Sequence, residues 1–168
     1  PGIRSLPNKM MNKLIKEKSE SDPHLTEQYD NYVEERKRFS LLLRNAEHRL
    51  GSGDADLYRA FAWRFWNLIL TDGTIGVVLP KTSLSDTGNW QWRKEVLSNG
   101  DFIEICQLLN NRKWVFDDVH PQYMIALVSI RKTGTPDDEI CIRGPYASLE
   151  DFKQGTQREP GVIPAVDF

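Results

Sequence analysis

The stretch that decides the fold is TIGVVLP, Thr74–Pro80. Its apolar side chains occupy both alternating faces, which is typical of a central parallel strand covered by helices on both sides. Pro80 ends the run, because proline has no N–H to donate to a neighbouring strand. We therefore expect Thr74–Pro80 to lie in the middle of a layered sheet.

A helix precedes this strand. Apolar residues recur at helical spacing and fall on one face, which predicts an amphipathic helix. These residues are Leu57, Phe61, Phe65 and Leu68. The pair Asp72-Gly73 then closes the helix and opens a turn into the strand.

The chain downstream alternates between helix and strand. A polar loop at 81–89 leads to a short helix near Trp90–Leu97 and a strand at Phe102–Leu109. A long loop, Asn110–Gln122, then leads to a third apolar strand at Tyr123–Arg131. This alternation is the signature of an α/β layer structure. Two such units leave one sheet edge bare, so we expect further strands outside this sequence.

The flanks carry weaker signals. Residues 1–50 predict a helical insert or arm, with Thr26 as the N-cap of its main helix. Gly51-Ser52-Gly53 predicts a turn, since no strand precedes it and no phosphate-loop motif is completed. Residues 133–168 predict a mostly irregular extension toward a downstream region, with one short strand at Glu139–Arg143 and a helical turn at Leu149–Gln154.

Composition narrows the class of protein. The formal net charge of −2 gives no basic footprint for nucleic acid, so any DNA contact must come from local patches. Cys106 and Cys141 lie in apolar runs without metal or redox spacing, which predicts reduced cysteines in a cytoplasmic protein. No apolar run reaches the roughly 18 residues that span a membrane, so we expect no membrane partner.

Three consecutive segments carry a family resemblance. They are GDADLYRAFAWRFWNLILTDGTIGVVLP (Gly53–Pro80), KTSLSDTGNWQWRKEVLSNGDFIEI (Lys81–Ile105) and NRKWVFDDVHPQYMIALVSIRK (Asn111–Lys132). In this order they resemble the adenine-N6 DNA methyltransferases of bacterial restriction–modification systems, in the type IIG family that joins methyltransferase and endonuclease on one chain. The resemblance implies that residues 51–132 are the C-terminal half of a Rossmann-like methyltransferase domain. Its parallel strands and flanking helices would be incomplete alone.

Two motifs of that family do not occur in this sequence. One is the F-x-G-x-G turn that approaches S-adenosylmethionine, and the other is Asn-Pro-Pro-aromatic, whose amide and carbonyl accept hydrogen bonds from the target amino group. The resemblance therefore implies a fragment that begins after both motifs and holds no catalytic residue. It also implies that S-adenosylmethionine and double-stranded DNA are bound by the parent enzyme. The fragment's direct partner would be the remainder of the methyltransferase domain.

The resemblance also assigns residues to the target-base side of the cleft. Phe116 occupies the position of an aromatic that packs against the extruded adenine, whereas Trp114 matches that position less well. The alternative is that Phe116 only plugs the edge of the core. Pro80, Lys81 and Ser83 follow the end of a strand, where ligands of α/β sheets gather. A plain polar connector explains these three residues equally well.

Charged residues near the long loop allow two interpretations each. The candidates for DNA-backbone contact, with surface solubility as the alternative, are Arg112, Lys113, Arg131 and Lys132. These residues bracket the loop in sequence. Asp117, Asp118 and His120 lack distinctive ligand spacing, so we expect a solvated loop and no metal.

Two other functional classes compete with the methyltransferase fragment. The first is an interaction module that binds protein through its tryptophans, Trp63, Trp66, Trp90 and Trp92, although burial explains helical tryptophans as well. The second is a different, complete α/β enzyme, for which the sequence lacks a nucleophile–base pair, a phosphate loop and a metal cluster. A binding module should cover its sheet edges, whereas a fragment should expose apolar surface.

Overall fold

The computed structural model describes residues 7–44 and 56–168. The predicted turn at Gly51–Gly53 and the boundary at residue 50 lie outside these ranges. The chain divides into two compact units, Pro1–Leu43 and Arg44–Phe168. No helix in the described ranges is long and apolar enough to cross a membrane.

The first unit is helical, as the sequence predicts. It contains α1, Asn8–Ser21, and α2, Pro23–Arg44. Thr26 is not the N-cap, because α2 already begins at Pro23. The Asp22 carboxylate accepts a hydrogen bond from the N–H of Leu25 at 3.0 Å, and proline is well suited to the first turn of a helix.

The second unit is an α/β structure, which confirms the predicted fold class. Its helices are α3 (Leu57–Leu68), α4 (Trp90–Asn99) and α5 (Leu149–Gly155). Its strands are β1 (Thr74–Pro80), β2 (Gly100–Leu109), β3 (Met124–Lys132), β4 (Glu139–Tyr146) and β5 (Gly161–Pro164). Short 3₁₀ turns lie at Lys81–Leu84, Thr87–Asn89, Asn111–Lys113 and Ala165–Asp167.

The five strands form one mixed sheet in the order β1-β3-β2-β4-β5. Only the β2–β4 pair is parallel; the pairs β1–β3, β2–β3 and β4–β5 are antiparallel. The expectation of parallel strands is therefore corrected. Because β3 is antiparallel to both neighbours, β1 and β2 still run in the same direction. They form a β-α-β unit around α4 with β3 inserted between them.

Strand β1 lies at the edge of the sheet rather than at its centre. Its free edge has no partner strand in the described part of the chain. Val77 and Leu79 are buried on one face, but Val78 on the other face is 56% exposed. The apolar run therefore marks a strand that is covered on one side only, and periodicity alone cannot tell that strand from a central one.

Helices α3 and α4 cover one face of the sheet. The indole Nε1 of Trp92 donates to the carbonyl of Ala62 at 3.2 Å, and the Trp92 ring meets Phe102 edge-on at 5.6 Å. The face that α3 buries carries Trp63 and Trp66. The predicted apolar face is mostly solvent-exposed: Leu57, Phe61 and Leu68 are 52%, 53% and 59% exposed.

The other face is covered near β2 by α5 and by the β2–β3 loop. The buried cluster of Cys106, Leu108 and Ile125 packs against side chains of both, among them Trp114 and Phe152. This cover does not extend to Val78. The second unit thus has a core that is covered on both faces around β2 and β3. At β1 it has an open corner, which consists of the free edge of this strand and its exposed Val78.

Residues 133–168 are more regular than the sequence predicts. They contribute β4, α5 and β5, and Ile140 of β4 lies opposite Ile163 of β5. The chain then returns to the core, where the Phe168 ring lies 5.0 Å from that of Phe102. A strand as short as β5, bounded by glycine and proline, carries too little alternation to be recognised in the sequence.

Candidate functional site

Two loops open at the same edge of the sheet. Pro80, the last residue of β1, pairs with Ile125, and Leu109, the last of β2, pairs with Met124. The carboxyl ends of β1 and β2 therefore flank the start of β3. The loops that follow, 81–89 and 110–123, begin together at the edge where α/β sheets hold ligands.

A single buried side chain organises the 110–123 loop. Asn110 is 0% exposed, and its Nδ2 donates to the carbonyls of Phe116 and Val119, both at 3.0 Å. Its Oδ1 accepts from the N–H groups of Val115 at 3.2 Å and Phe116 at 3.0 Å. The loop therefore closes around this amide, which the sequence analysis did not single out.

The same loop contains two strained residues. Arg112 and Lys113 adopt left-handed backbone angles, with φ of 57° and 59°, which costs residues with a Cβ about 1–2 kcal/mol each. The N–H of Lys113 donates to the carbonyl of Asn110 at 2.9 Å, which fixes the turn. Such strain persists only where the surroundings determine the conformation, and it clusters at functional sites.

Trp114 and Phe116 have opposite environments. The Trp114 indole donates to the carbonyl of Leu109 at 2.6 Å, and its ring packs on the core cluster. Phe116 is 42% exposed, although Asn110 holds both its N–H and its carbonyl. Trp114 is thus the residue that plugs the core edge, and Phe116 presents an exposed ring on a fixed backbone.

The loop continues through polar and aromatic residues. The N–H of Gln122 donates to Nδ1 of His120 at 3.3 Å, and the His120 ring lies 6.3 Å from that of Tyr123. Asp117 and Asp118 are exposed. Across residues 7–44 and 56–168, no group of three His, Cys, Asp or Glu side chains is arranged to hold a metal ion.

The 81–89 loop is held by arginines from both covering helices. Arg93 of α4 donates to the carbonyls of Ser83 at 3.0 Å and Asp86 at 2.8 Å, and Arg59 of α3 donates to that of Gly88. Burial lowers the pKa of the Arg93 guanidinium, and the nearby Asp86 carboxylate opposes that shift. The guanidinium therefore supports the backbone of the loop.

The predicted loop residues differ in exposure. Pro80 and Lys81 are half-buried at the sheet edge, whereas Ser83 is 1% exposed. The Ser83 hydroxyl has no hydrogen-bond partner among the described residues. Structure thus brings these three residues to the same edge as Phe116, with one buried hydroxyl left unsatisfied.

The basic candidates do not form one group. Arg112 and Lys113 are exposed on the long loop, which ends at the start of β3, but Arg131 and Lys132 lie at the far end of that strand, about 23–26 Å from its first residue at strand spacing. A hydrogen bond and the charge of Asp101 raise the pKa of Arg131, whose Nη2 lies 2.6 Å from that carboxylate. The expectation that all four bracket one loop is therefore wrong in space, because β3 separates the pairs.

Lys132 also contacts the protein rather than standing free. Its Nζ donates to the carbonyl of Trp66 at 3.4 Å and lies 5.0 Å from the centre of the Trp66 ring. Three of the four tryptophans proposed as a binding surface are buried, since Trp63, Trp66 and Trp92 are 4%, 1% and 1% exposed. Burial explains these tryptophans, and Trp90 alone of the four is exposed.

The glycines of the turns on either side of β1 are packed against protein atoms. A Cβ at Gly73 would meet the Ile69 side chain at 2.9 Å, and one at Gly88 would meet the Arg59 guanidinium at 2.8 Å. Neither of these two glycines therefore leaves open space for S-adenosylmethionine.

Comparisons with known proteins give structural likenesses but no match in sequence. No family model matches this sequence, and no curated protein matches it. Among solved structures, the chain is similar to one described as "a modification subunit of a putative type I restriction enzyme from Vibrio vulnificus YJ016", with 19% identity and a TM-score of 0.43. The match covers 56% of this chain and 23% of that chain.

Proposed function

We propose that this chain forms the target-base side of a DNA adenine-N6 methyltransferase of a restriction–modification system. The family resemblance of residues 53–132 supplies the reaction class. In the proposal, Phe116 stacks on an adenine rotated out of the duplex. Enzymes that act on a base must extrude it and hold it between flat or apolar groups.

The observation that carries the proposal is the exposed Phe116 ring on a fixed backbone. Stacking of an aromatic ring on a base favours binding only if the loop that carries the ring is already ordered. Otherwise the entropy cost of ordering the loop on binding offsets the free energy gained by stacking. Stacking of a base on an aromatic side chain is worth about 1–3 kcal/mol. The exposed Arg112 and Lys113 lie on the same loop, where they are suited to contact phosphates.

The open corner at β1 supports a second protein segment as partner. Within the described residues β1 has no strand on its free edge, so the backbone groups there can accept another strand, and the exposed Val78 can be covered by what that strand carries. In the proposal, the remainder of the methyltransferase domain docks there. It brings the donor site and the Asn-Pro-Pro-aromatic motif that this sequence lacks. Accordingly, the isolated chain should transfer no methyl group from S-adenosylmethionine to duplex DNA, and turnover would contradict the fragment assignment.

The test is binding of the 168-residue chain to a labelled duplex with a single bulged adenine, measured by fluorescence anisotropy. A fully paired duplex of the same sequence measures non-specific binding. We expect tighter binding to the bulged duplex, and Phe116→Ala should weaken that preference about 5- to 150-fold or abolish it, as loss of stacking requires.

The matched control is Phe61→Ala, which removes the same side chain from a similarly exposed position on α3. Phe61 is 53% exposed and Phe116 is 42% exposed, so the two variants lose comparable apolar surface. Phe61→Ala should leave the preference for bulged adenine unchanged. An unchanged preference in Phe116→Ala, or an equal loss in both variants, would rule out stacking by Phe116.

A further inference from the structure

Hydrogen bonds to the Asn110 side chain hold the part of the 110–123 loop that contains Phe116. The backbone around Phe116 belongs to neither a helix nor a strand, and its hydrogen bonds run to the side chain of Asn110. The neighbouring Trp114 and Val115 side chains pack on the core cluster, whereas the Phe116 ring is 42% exposed. The hydrogen bonds of its backbone therefore determine where the Phe116 ring lies.

The Asn110 side chain uses its full hydrogen-bonding capacity. An amide group has two N–H donors and two acceptor lone pairs. Both donors are directed to the carbonyls of Phe116 and Val119, and both acceptor sites receive N–H groups, from Val115 and Phe116. A carboxylate of the same shape cannot donate and would face two carbonyl oxygens. An aliphatic side chain would leave four part-buried backbone groups without these partners.

The backbone of Asn110 ties the loop to the sheet. Its N–H donates to the carbonyl of Tyr123 at 3.3 Å, across the base of the loop, and its carbonyl accepts from Lys113 at 2.9 Å. Leu109, the preceding residue, is paired with Met124 in the β2–β3 ladder. The amide is thus anchored at a strand end and reaches six residues ahead to Phe116.

We infer that Asn110 is the positioning residue of the base site: its amide pre-sets the backbone that presents the Phe116 ring to an extrahelical adenine. This inference rests on the proposed function. Asn110 itself lies beneath the loop and does not contact the base. Its contribution is to remove the ordering penalty that a free loop would incur on binding, so it acts only through Phe116.

The test compares Asn110→Asp with Asn67→Asp, which adds the same charge at an exposed residue of α3. The first readout needs no DNA: amide hydrogen exchange of Val115 and Phe116 by NMR. These two N–H groups should be protected in the original chain and in Asn67→Asp, and should exchange freely in Asn110→Asp. Unchanged protection in β3 shows that the sheet is still folded. If Asn110→Asp does not fold, Asn110→Ser, which keeps a hydroxyl donor, replaces it.

The second readout is the preference for the bulged adenine. Asn110→Asp should lose about as much of it as Phe116→Ala, about 5- to 150-fold. The double variant should be no weaker than Phe116→Ala alone, because residues that act through one another are non-additive. If Asn110 contributed only to the stability of the fold, the double variant would instead lose more of the preference for bulged adenine than Phe116→Ala alone.

The outcomes separate the two ideas. Free exchange of Val115 and Phe116 in the original chain overturns the role of Asn110, whatever the DNA results are. Lost protection in Asn110→Asp with a full adenine preference also overturns it, while a loss in Phe116→Ala keeps the proposed function. If Phe116→Ala has no effect, the proposed function fails, and the positioning role fails with it.

Discussion

Gly100 is a position where the fold has no room for a methyl group. A Cβ there would lie 2.1 Å from the carbonyl oxygen of Arg131 and 2.7 Å from the Trp66 ring. The φ of 173° is extended backbone that any residue adopts, so the obstacle is steric rather than conformational. We expect Gly100→Ala to lower the free energy of unfolding by about 2–3 kcal/mol, at the upper end of overpacking. The reason is that a strand carbonyl cannot rotate away.

The matched control is Gly76→Ala in β1. A Cβ at Gly76 meets no atom within 4 Å, and alanine loses less backbone freedom on folding than glycine. This variant should gain roughly 0.4–1 kcal/mol of unfolding free energy. The two substitutions are chemically identical and both lie in strands, so their difference isolates the contact at Gly100.

Urea unfolding followed by tryptophan fluorescence measures both changes, since Trp66 and Trp92 are each 1% exposed. With a slope of about 1–3 kcal/mol per M, Gly100→Ala should move the midpoint down by roughly 0.7–3 M. A change within about 0.5 kcal/mol of the original chain would refute the close approach of β2 and β3. Adding Trp66→Phe should not restore stability, because the Arg131 oxygen remains.

Three further predictions concern the side chains of Cys106, Arg93 and Ser83. Burial raises the pKa of the Cys106 thiol from its ordinary 9.0 to about 11. As the pH rises, the thiol therefore ionises in the unfolded chain before it does in the folded one. The stability that the neutral thiol contributes is present below pH 9 and is lost between pH 9 and pH 11. In urea unfolding measured across this pH range, Cys106→Ala should remove the loss of stability, and Cys141→Ala should not. Arg93→Met removes two charge-assisted hydrogen bonds to the 81–89 loop. Amide hydrogen exchange should become faster in that loop and stay unchanged in β3. Unchanged exchange in the loop would contradict the supporting role of Arg93. Ser83→Ala removes a buried hydroxyl without a partner among the described residues; it should raise the free energy of unfolding by about 1 kcal/mol, and a comparable decrease would disprove that environment.

The sequence predicts the elements of the second unit well because most are long and strongly patterned. Thr74–Pro80 is β1 without change, and the Tyr123–Arg131 strand differs from β3 by one residue at each end. Strand order is less predictable. Whether β1 pairs with β2 or with β3 depends on contacts far apart in the chain, and the same apolar pattern fits either position.

The buried face of α3 shows a similar limit. Leu57, Phe61 and Phe65 recur at the ideal spacing, yet Trp63 and Trp66 are the residues that are buried. Both faces of this helix are apolar, so periodicity does not select between them. Large aromatic rings gain more by burial than leucine, and here that gain decides the orientation.

The candidate site is predictable only in part. Phe116 and the loop residues Pro80, Lys81 and Ser83 follow from the family resemblance, and the structure places them at one sheet edge. Asn110 carries no sequence signal beyond an asparagine at the end of a strand. Its importance arises when residues 115–119 fold back onto its amide, a tertiary event that local propensity does not encode.

The insertion of β3 between β1 and β2 constrains the order in which this unit can form during synthesis. β1 and β2 share no ladder, because each pairs with β3. Neither ladder can begin until Met124 has left the ribosome, and they are complete only at Arg131 for β1 and at Lys132 for β2. Until then the apolar β1 segment has no sheet to join, and nascent chains that stall before residue 124 expose it to aggregation.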